Sequence, residues 1–136
     1  KFIKAILVFL GIGLIIFAVY FISPNVTGHH LSARQKEMLN LTLEWGRLAP
    51  LPDNARDILI KTEGNAFTRS FHVSFAASRQ EIDAWIAASP GLYETTLREV
   101  SDHQIQFTIS PGGGANAAEV VVDLQQNKVD IYVSWS

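Results

Sequence analysis

Four histidines, His29, His30, His72 and His103, are the side chains of this chain best suited to moving a proton or holding a metal near neutral pH. His29 and His30 are adjacent, a spacing that a regular helix cannot aim at one ion, although a loop can. They lie just past a long apolar segment and can face a partner's headgroup, pigment or acidic surface. His72 and His103 lack a second ligand at the i, i+4 spacing that places two imidazoles on one helix face. His72 stands between Ser70 and Ser74, so a strand would put all three on one face. No Gly-x-Ser-x-Gly elbow or ordered Ser–His–Asp set accompanies them, and polar decoration is the plain reading. The carboxylate pairs Asp57/Glu63 and Glu119/Asp123 fall in strand-like runs with no aromatic cleft evident, which argues against glycoside chemistry. Gly112-Gly113-Gly114 lacks the Lys-Ser/Thr of a phosphate loop and precedes a strand pattern, so it reads as an inter-strand loop.

The sequence has no cysteine. Thiol nucleophiles, zinc-thiolate centres, iron–sulfur clusters and disulfides are therefore excluded. Net charge is −2, from 11 Lys+Arg and 13 Asp+Glu, which excludes a basic nucleic-acid binder. The sequence assigns no catalytic, cofactor-binding or metal-ligating residue and implies no cofactor.

The elements that would position these side chains begin with an apolar segment. From Ala5 to Ile22 there is no charge and no side-chain amide, a length of about 27 Å as a helix. Lys1 and Lys4 precede it, Tyr20 sits near its far end, and Ser23-Pro24 stops it. Val19-Tyr20-Phe21-Ile22 is too bulky for signal cleavage, so residues 1–23 read as a transmembrane anchor. The flanking lysines predict a cytoplasmic N-terminus and, in a Gram-negative cell, a periplasmic domain. With no ionisable group the span conducts and ligates nothing, while Gly11, Gly13 and Ala18 allow close helix packing.

Residues 24–50 read as a linker and juxtamembrane helix. Ser32 and Gln35 form a capping-box pattern, and Met38, Leu41, Trp45 and Leu48 recur at helical spacing through Pro50. Residues 51–136 read as the extramembrane domain. A strand containing Ile58 and Ile60 ends at Glu63, and Gly64-Asn65 turns it into a second carrying Phe67, Phe71, Val73 and Phe75 on one face. Ser78-x-x-Glu81 caps a helix with Ile82, Trp85 and Ile86 inward, which Ser89-Pro90-Gly91 ends. A hairpin follows from Leu92 to Val100 and Gln104 to Ile109. A second joins Ala118, Val120 and Val122 to Val129, Ile131, Val133 and Trp135, with Asn127 in its turn.

This order predicts an α+β fold: an N-terminal transmembrane helix, then a small, mostly antiparallel sheet packed by one or two helices. The apolar face would pack against the helix at 78–89. The other would carry Ser70, His72, Gln104, Gln106, Thr108, Glu119 and Tyr132. Residues 23–83 balance seven basic against seven acidic side chains, whereas 84–136 hold two against six. The mildly acidic second half suits solubility or a basic partner surface.

The stretches Leu51-Pro52-Asp53-Asn54-Ala55-Arg56-Asp57, Thr68-Arg69-Ser70-Phe71, Ser110-Pro111-Gly112-Gly113-Gly114-Ala115 and Ile131-Tyr132-Val133-Ser134-Trp135-Ser136 resemble uncharacterised single-span bacterial envelope proteins, from about Leu48 onward. The resemblance implies a bacterial, membrane-anchored, non-enzymatic protein and transfers no site residue. The expectation is an accessory subunit of a bacterial inner-membrane complex, such as a respiratory or photosynthetic one. Its partners would be other membrane subunits and the lipid bilayer, with His29, His30, His72 and Tyr132 as partner-facing residues. The alternative is a free-standing periplasmic module that binds a ligand or peptide.

Overall fold

A computed structural model describes residues 31–136 except residue 94, and of residues 96 and 98 the backbone alone. The expected span at 5–22, with Gly11, Gly13 and Ala18, lies outside the described residues, as do His29 and His30. Among the described residues no helix is long and apolar enough to cross a membrane.

Helix α1 spans Ala33–Gly46. Ser32 Oγ accepts from the Gln35 N–H at 3.2 Å and Gln35 Oε1 accepts from the Ser32 N–H at 2.9 Å, satisfying two amide donors at the helix start. The helix ends at Gly46, short of the expected Pro50. Arg47 turns left-handed at φ 53°, and the Leu48 N–H donates to the Leu43 carbonyl at 2.8 Å. This Schellman closure satisfies the last carbonyls and turns Leu48 into the core.

Strands β1 (Arg56–Gly64) and β2 (Arg69–Ala76) form a hairpin. Alternation alone puts Phe67 on the inner face of the second strand, but it lies in the connecting loop, 80% exposed. Asn65 is the cause. Its Oδ1 accepts from the Phe67 and Thr68 N–H groups at 2.8 and 3.2 Å, and its own N–H donates to the Thr68 carbonyl at 2.9 Å. That side-chain-locked turn takes up residues 65–68 and delays the strand to Arg69. Gly64, at φ 132°, would place a Cβ 2.0 Å from the Thr68 carbonyl oxygen, so no other residue fits there.

Helix α2 (Arg79–Ala88) starts with the expected box between Ser78 and Glu81. Instead of passing into a strand at Leu92, the chain makes one further helical turn, α3 (Pro90–Tyr93), with Leu92 buried. Proline fits the first turn of a helix because its missing N–H has no partner there in any case. Strands β3 (Thr96–Ser101), β4 (Gln104–Ile109), β5 (Ala117–Asp123) and β6 (Lys128–Trp135) then run as a meander.

The six strands form one antiparallel sheet in the order β1-β2-β6-β5-β4-β3. The α2–α3 crossover carries the chain from β2 to the far edge, and the meander returns until β6 closes against β2. Phe71, Val73 and Phe75 of β2 and Val129, Ile131 and Val133 of β6 bury one face, together with Ala118, Val120 and Val122 of β5. Each fully buried valine or isoleucine there contributes about 1.5–3 kcal/mol. Helix α1 covers this face along with α2 and the short α3, not the α2 segment alone. Trp45 of α1 packs on Phe71 at a ring separation of 5.3 Å, and Trp85 of α2 meets Phe75 edge-on at the same distance. The fold is α+β, and among the described residues the helices lie on one face of the sheet only.

Candidate functional site

The opposite sheet face carries no helix of the described chain. Side chains alternate across a strand, so the register fixes which residues share this face. One transverse row runs Lys61, His72, Tyr132, Glu119 and Thr108 across β1, β2, β6, β5 and β4. The row beside it runs Leu59, Ser74, Asp130, Val121 and Gln106. The polar set expected on one face therefore does share one face.

His72 and Tyr132 are direct cross-strand partners, with ring centroids 4.8 Å apart and planes tilted by 50°. They form part of a shallow concavity of about 380 Å³ spanning β1, β2, β6 and β5. Its charges are mixed. Lys61 and Lys128 oppose Glu63, Glu119 and Asp130, and Lys128 Nζ lies 3.5 Å from Asp130 Oδ1. Leu59, 51% exposed, and Val121 add apolar surface between these charges.

Sequence reasoning missed Leu59 and Val121, although a signal was present. Ile58-Leu59-Ile60 and Val120-Val121-Val122 are unbroken apolar runs, and such runs mark strands that are apolar on both faces.

The separations limit the chemistry. Glu119 is two strands from His72, about 10 Å away at the usual strand spacing, so it does not orient the imidazole. Ser70 Oγ donates to the Glu63 carbonyl at 3.5 Å rather than to His72. Asp57 and Glu63 are six residues apart along β1, about 20 Å, and Glu119 and Asp123 are about 13 Å apart on β5. Both pairs exceed the separation used in glycoside hydrolysis. Among the described residues no three His, Asp or Glu side chains converge on a metal position. His103 sits in the β3–β4 turn, where its carbonyl accepts from the Leu124 N–H at 2.6 Å.

The triple glycine has a packing role. The Gly112 N–H donates to the Trp45 carbonyl at 2.8 Å, extending the hydrogen bonding at the end of α1. Gly113, at φ 62°, lies against the indole, where a Cβ would stand 2.4 Å from Trp45 Cδ1.

Two half-buried carboxylates are held below their ordinary values. Glu81 is lowered chiefly by the Asn54 amide, 2.9 Å from Oε1, and then by the Ser78 N–H and hydroxyl. Asp123 is lowered chiefly by the Gln126 N–H at 2.8 Å, with help from the Gln104 amide and the Gln125 N–H. Both act in turns and caps, away from the concavity.

Comparison with protein-family models, curated proteins and solved structures finds no match to this chain.

Proposed function

We propose that this chain is a non-catalytic, single-span accessory subunit of a bacterial inner-membrane complex. Residues 1–23 anchor it, with the N-terminus in the cytoplasm and the domain in the periplasm. The helix-free sheet face docks on a neighbouring subunit. The observation that carries this reading is the composition of that face. Leu59 and Val121 flank the His72–Tyr132 ring pair on a surface where water-facing strands ordinarily present polar side chains throughout. Aromatic and apolar centres ringed by charge are the usual make-up of a docking patch. The small residues Gly11, Gly13 and Ala18 supply a second packing surface within the bilayer.

The test is a photo-reactive phenylalanine analogue at Tyr132, compared with one at Asp102 in the β3–β4 turn, in cells carrying a C-terminally tagged chain. Crosslinking from position 132 to a membrane subunit that co-purifies in mild detergent supports the reading. Recovery of the chain alone, uncrosslinked, removes it.

The concavity supports a second reading, a free-standing periplasmic module that captures a ligand or peptide on the same residues. Crosslinking from 132 to a peptide or small molecule, with no stoichiometric subunit, would favour it.

A further inference from the structure

The sheet has two ends, and they differ. One end holds the β1–β2 loop, the end of β6, the β4–β5 loop and the start of β3; the other holds the β3–β4 and β5–β6 turns. Helix α1 begins at the first end. Arg34, Glu37, Met38 and Leu41 line a cleft with Gly64, Asn65 and Arg69 of the β1–β2 hairpin. The same end carries two exposed aromatics. Phe67 projects from the loop, and Trp135, 40% exposed, pairs in register with Arg69.

We propose that this end of the domain rests on the phospholipid surface of the membrane that holds the anchor, with Phe67 and Trp135 in the headgroup region and Arg34, Lys36 and Arg69 at the phosphates. The inference rests on reading residues 5–22 as a bilayer span. Three observations lead to it.

First, ten residues separate Ile22 from Ala33, so α1 starts within about 35 Å of the bilayer even if they are fully extended. The tether therefore keeps the end of the domain where α1 begins within reach of the bilayer. Second, the residue types match. Trp and Phe with interleaved Arg and Lys are the side chains that settle at a lipid–water interface, the rings among headgroups and the cations on phosphate. Around the cleft between the start of α1 and the β1–β2 hairpin, Arg34, Lys36 and Arg69 outnumber Glu37 and Glu63 by one among the described residues. Third, Phe67 is held outward. Asn65 Oδ1 takes two amide donors of the loop, so the exposed ring is presented by a fixed turn rather than left on a slack one. Seated this way, the strands stand steeply to the membrane and the helix-free face looks sideways, toward neighbouring subunits.

The absence of native cysteine makes the test direct. Single-cysteine variants of the full chain, Phe67→Cys, Asp102→Cys and Ile15→Cys, would be labelled with the polarity-sensitive NBD fluorophore. They would then be reconstituted into vesicles of three parts phosphatidylcholine to one part phosphatidylglycerol. The label at 67 should show blue-shifted emission, loss of quenching by aqueous iodide, and quenching by headgroup-depth nitroxide lipids. The label at 102, at the far end, should behave as in water. The label at 15 reports the span separately. Iodide quenching at 67 equal to that at 102, with 15 protected, overturns the inference and leaves the anchor standing. Iodide access at both 15 and 67 removes both. Protection at 67 with iodide access at 15 removes the anchor and, with it, the tether on which the inference rests, and so overturns the inference as well.

Discussion

The Trp85 indole N–H donates to the Ala49 carbonyl at 3.0 Å, joining α2 to the segment that leaves α1. Ser89 Oγ completes the joint, accepting from the Ala49 N–H at 3.0 Å and donating to the Trp85 carbonyl at 2.8 Å. Both backbone groups of Ala49 are thus satisfied by α2 and its cap, and both partner side chains are buried. Trp85→Phe keeps most of the ring but orphans the carbonyl, and should cost about 1–3 kcal/mol. Ser89→Ala should cost a similar amount by stranding the amide. Urea unfolding measures both. A loss below about 0.5 kcal/mol in each variant would mean that this joint contributes little.

The glycines of the β4–β5 loop should differ in tolerance. Gly114, at φ 82°, has no atom within 4 Å of where a Cβ would stand, so alanine there carries only the left-handed backbone penalty of about 1–2 kcal/mol. Gly113 carries the same backbone penalty and also meets Trp45. Gly113→Ala should therefore lower the melting temperature clearly more than Gly114→Ala, and equal effects would remove the indole contact as the cause.

Acid should weaken the fold through Glu81 and Asp123. Both have folded pKa values below their ordinary 4.5 and 3.8, so each contributes stability that is present above those values. That contribution is lost as the pH falls through them toward the lower folded values. Urea midpoints measured from about pH 7 down to about pH 3 should fall on the acid side. Glu81→Gln or Asp123→Asn should flatten that limb; an unchanged slope in both would assign it to other carboxylates.

The open face should separate docking from folding. His72→Ala combined with Tyr132→Ala removes the ring pair without touching the packed face, and should change stability by no more than about 1 kcal/mol. Recovery of a docked subunit should fall about tenfold or more, as for a central hot spot. A double variant that folds and still retains its full partner set would move the docking surface elsewhere.

What could be read from the sequence was local. Both capping boxes depend on residues three apart, and both formed as expected at Ser32 and Ser78. The alternation of Val129, Ile131 and Val133 reports one buried face whatever the neighbouring strand. The misplaced pieces depended on competition between local rules. Phe67 fits a strand pattern, but Asn65 captures the backbone first. Leu92 follows a proline and glycine that suggest an ending, yet Pro90 starts another turn. On the candidate site, the shared face of His72 and Tyr132 was visible from period two. Their contact was not, because it depends on a register between residues sixty positions apart. The fit of Gly113 against Trp45 is equally non-local.

The position of β6 also has a kinetic side. It follows the other five described strands yet lies third across the sheet, bonded to β2 on one flank and β5 on the other. A chain emerging N-terminus first can form the β1–β2 hairpin early, but the two halves of the sheet join only when β6 arrives. Until then β2 and β5 each expose an unpaired edge beside apolar side chains, which is the arrangement most open to wrong pairing. Folding is therefore expected to be slow and completed late, and cutting the chain before Lys128 would split the sheet rather than trim it.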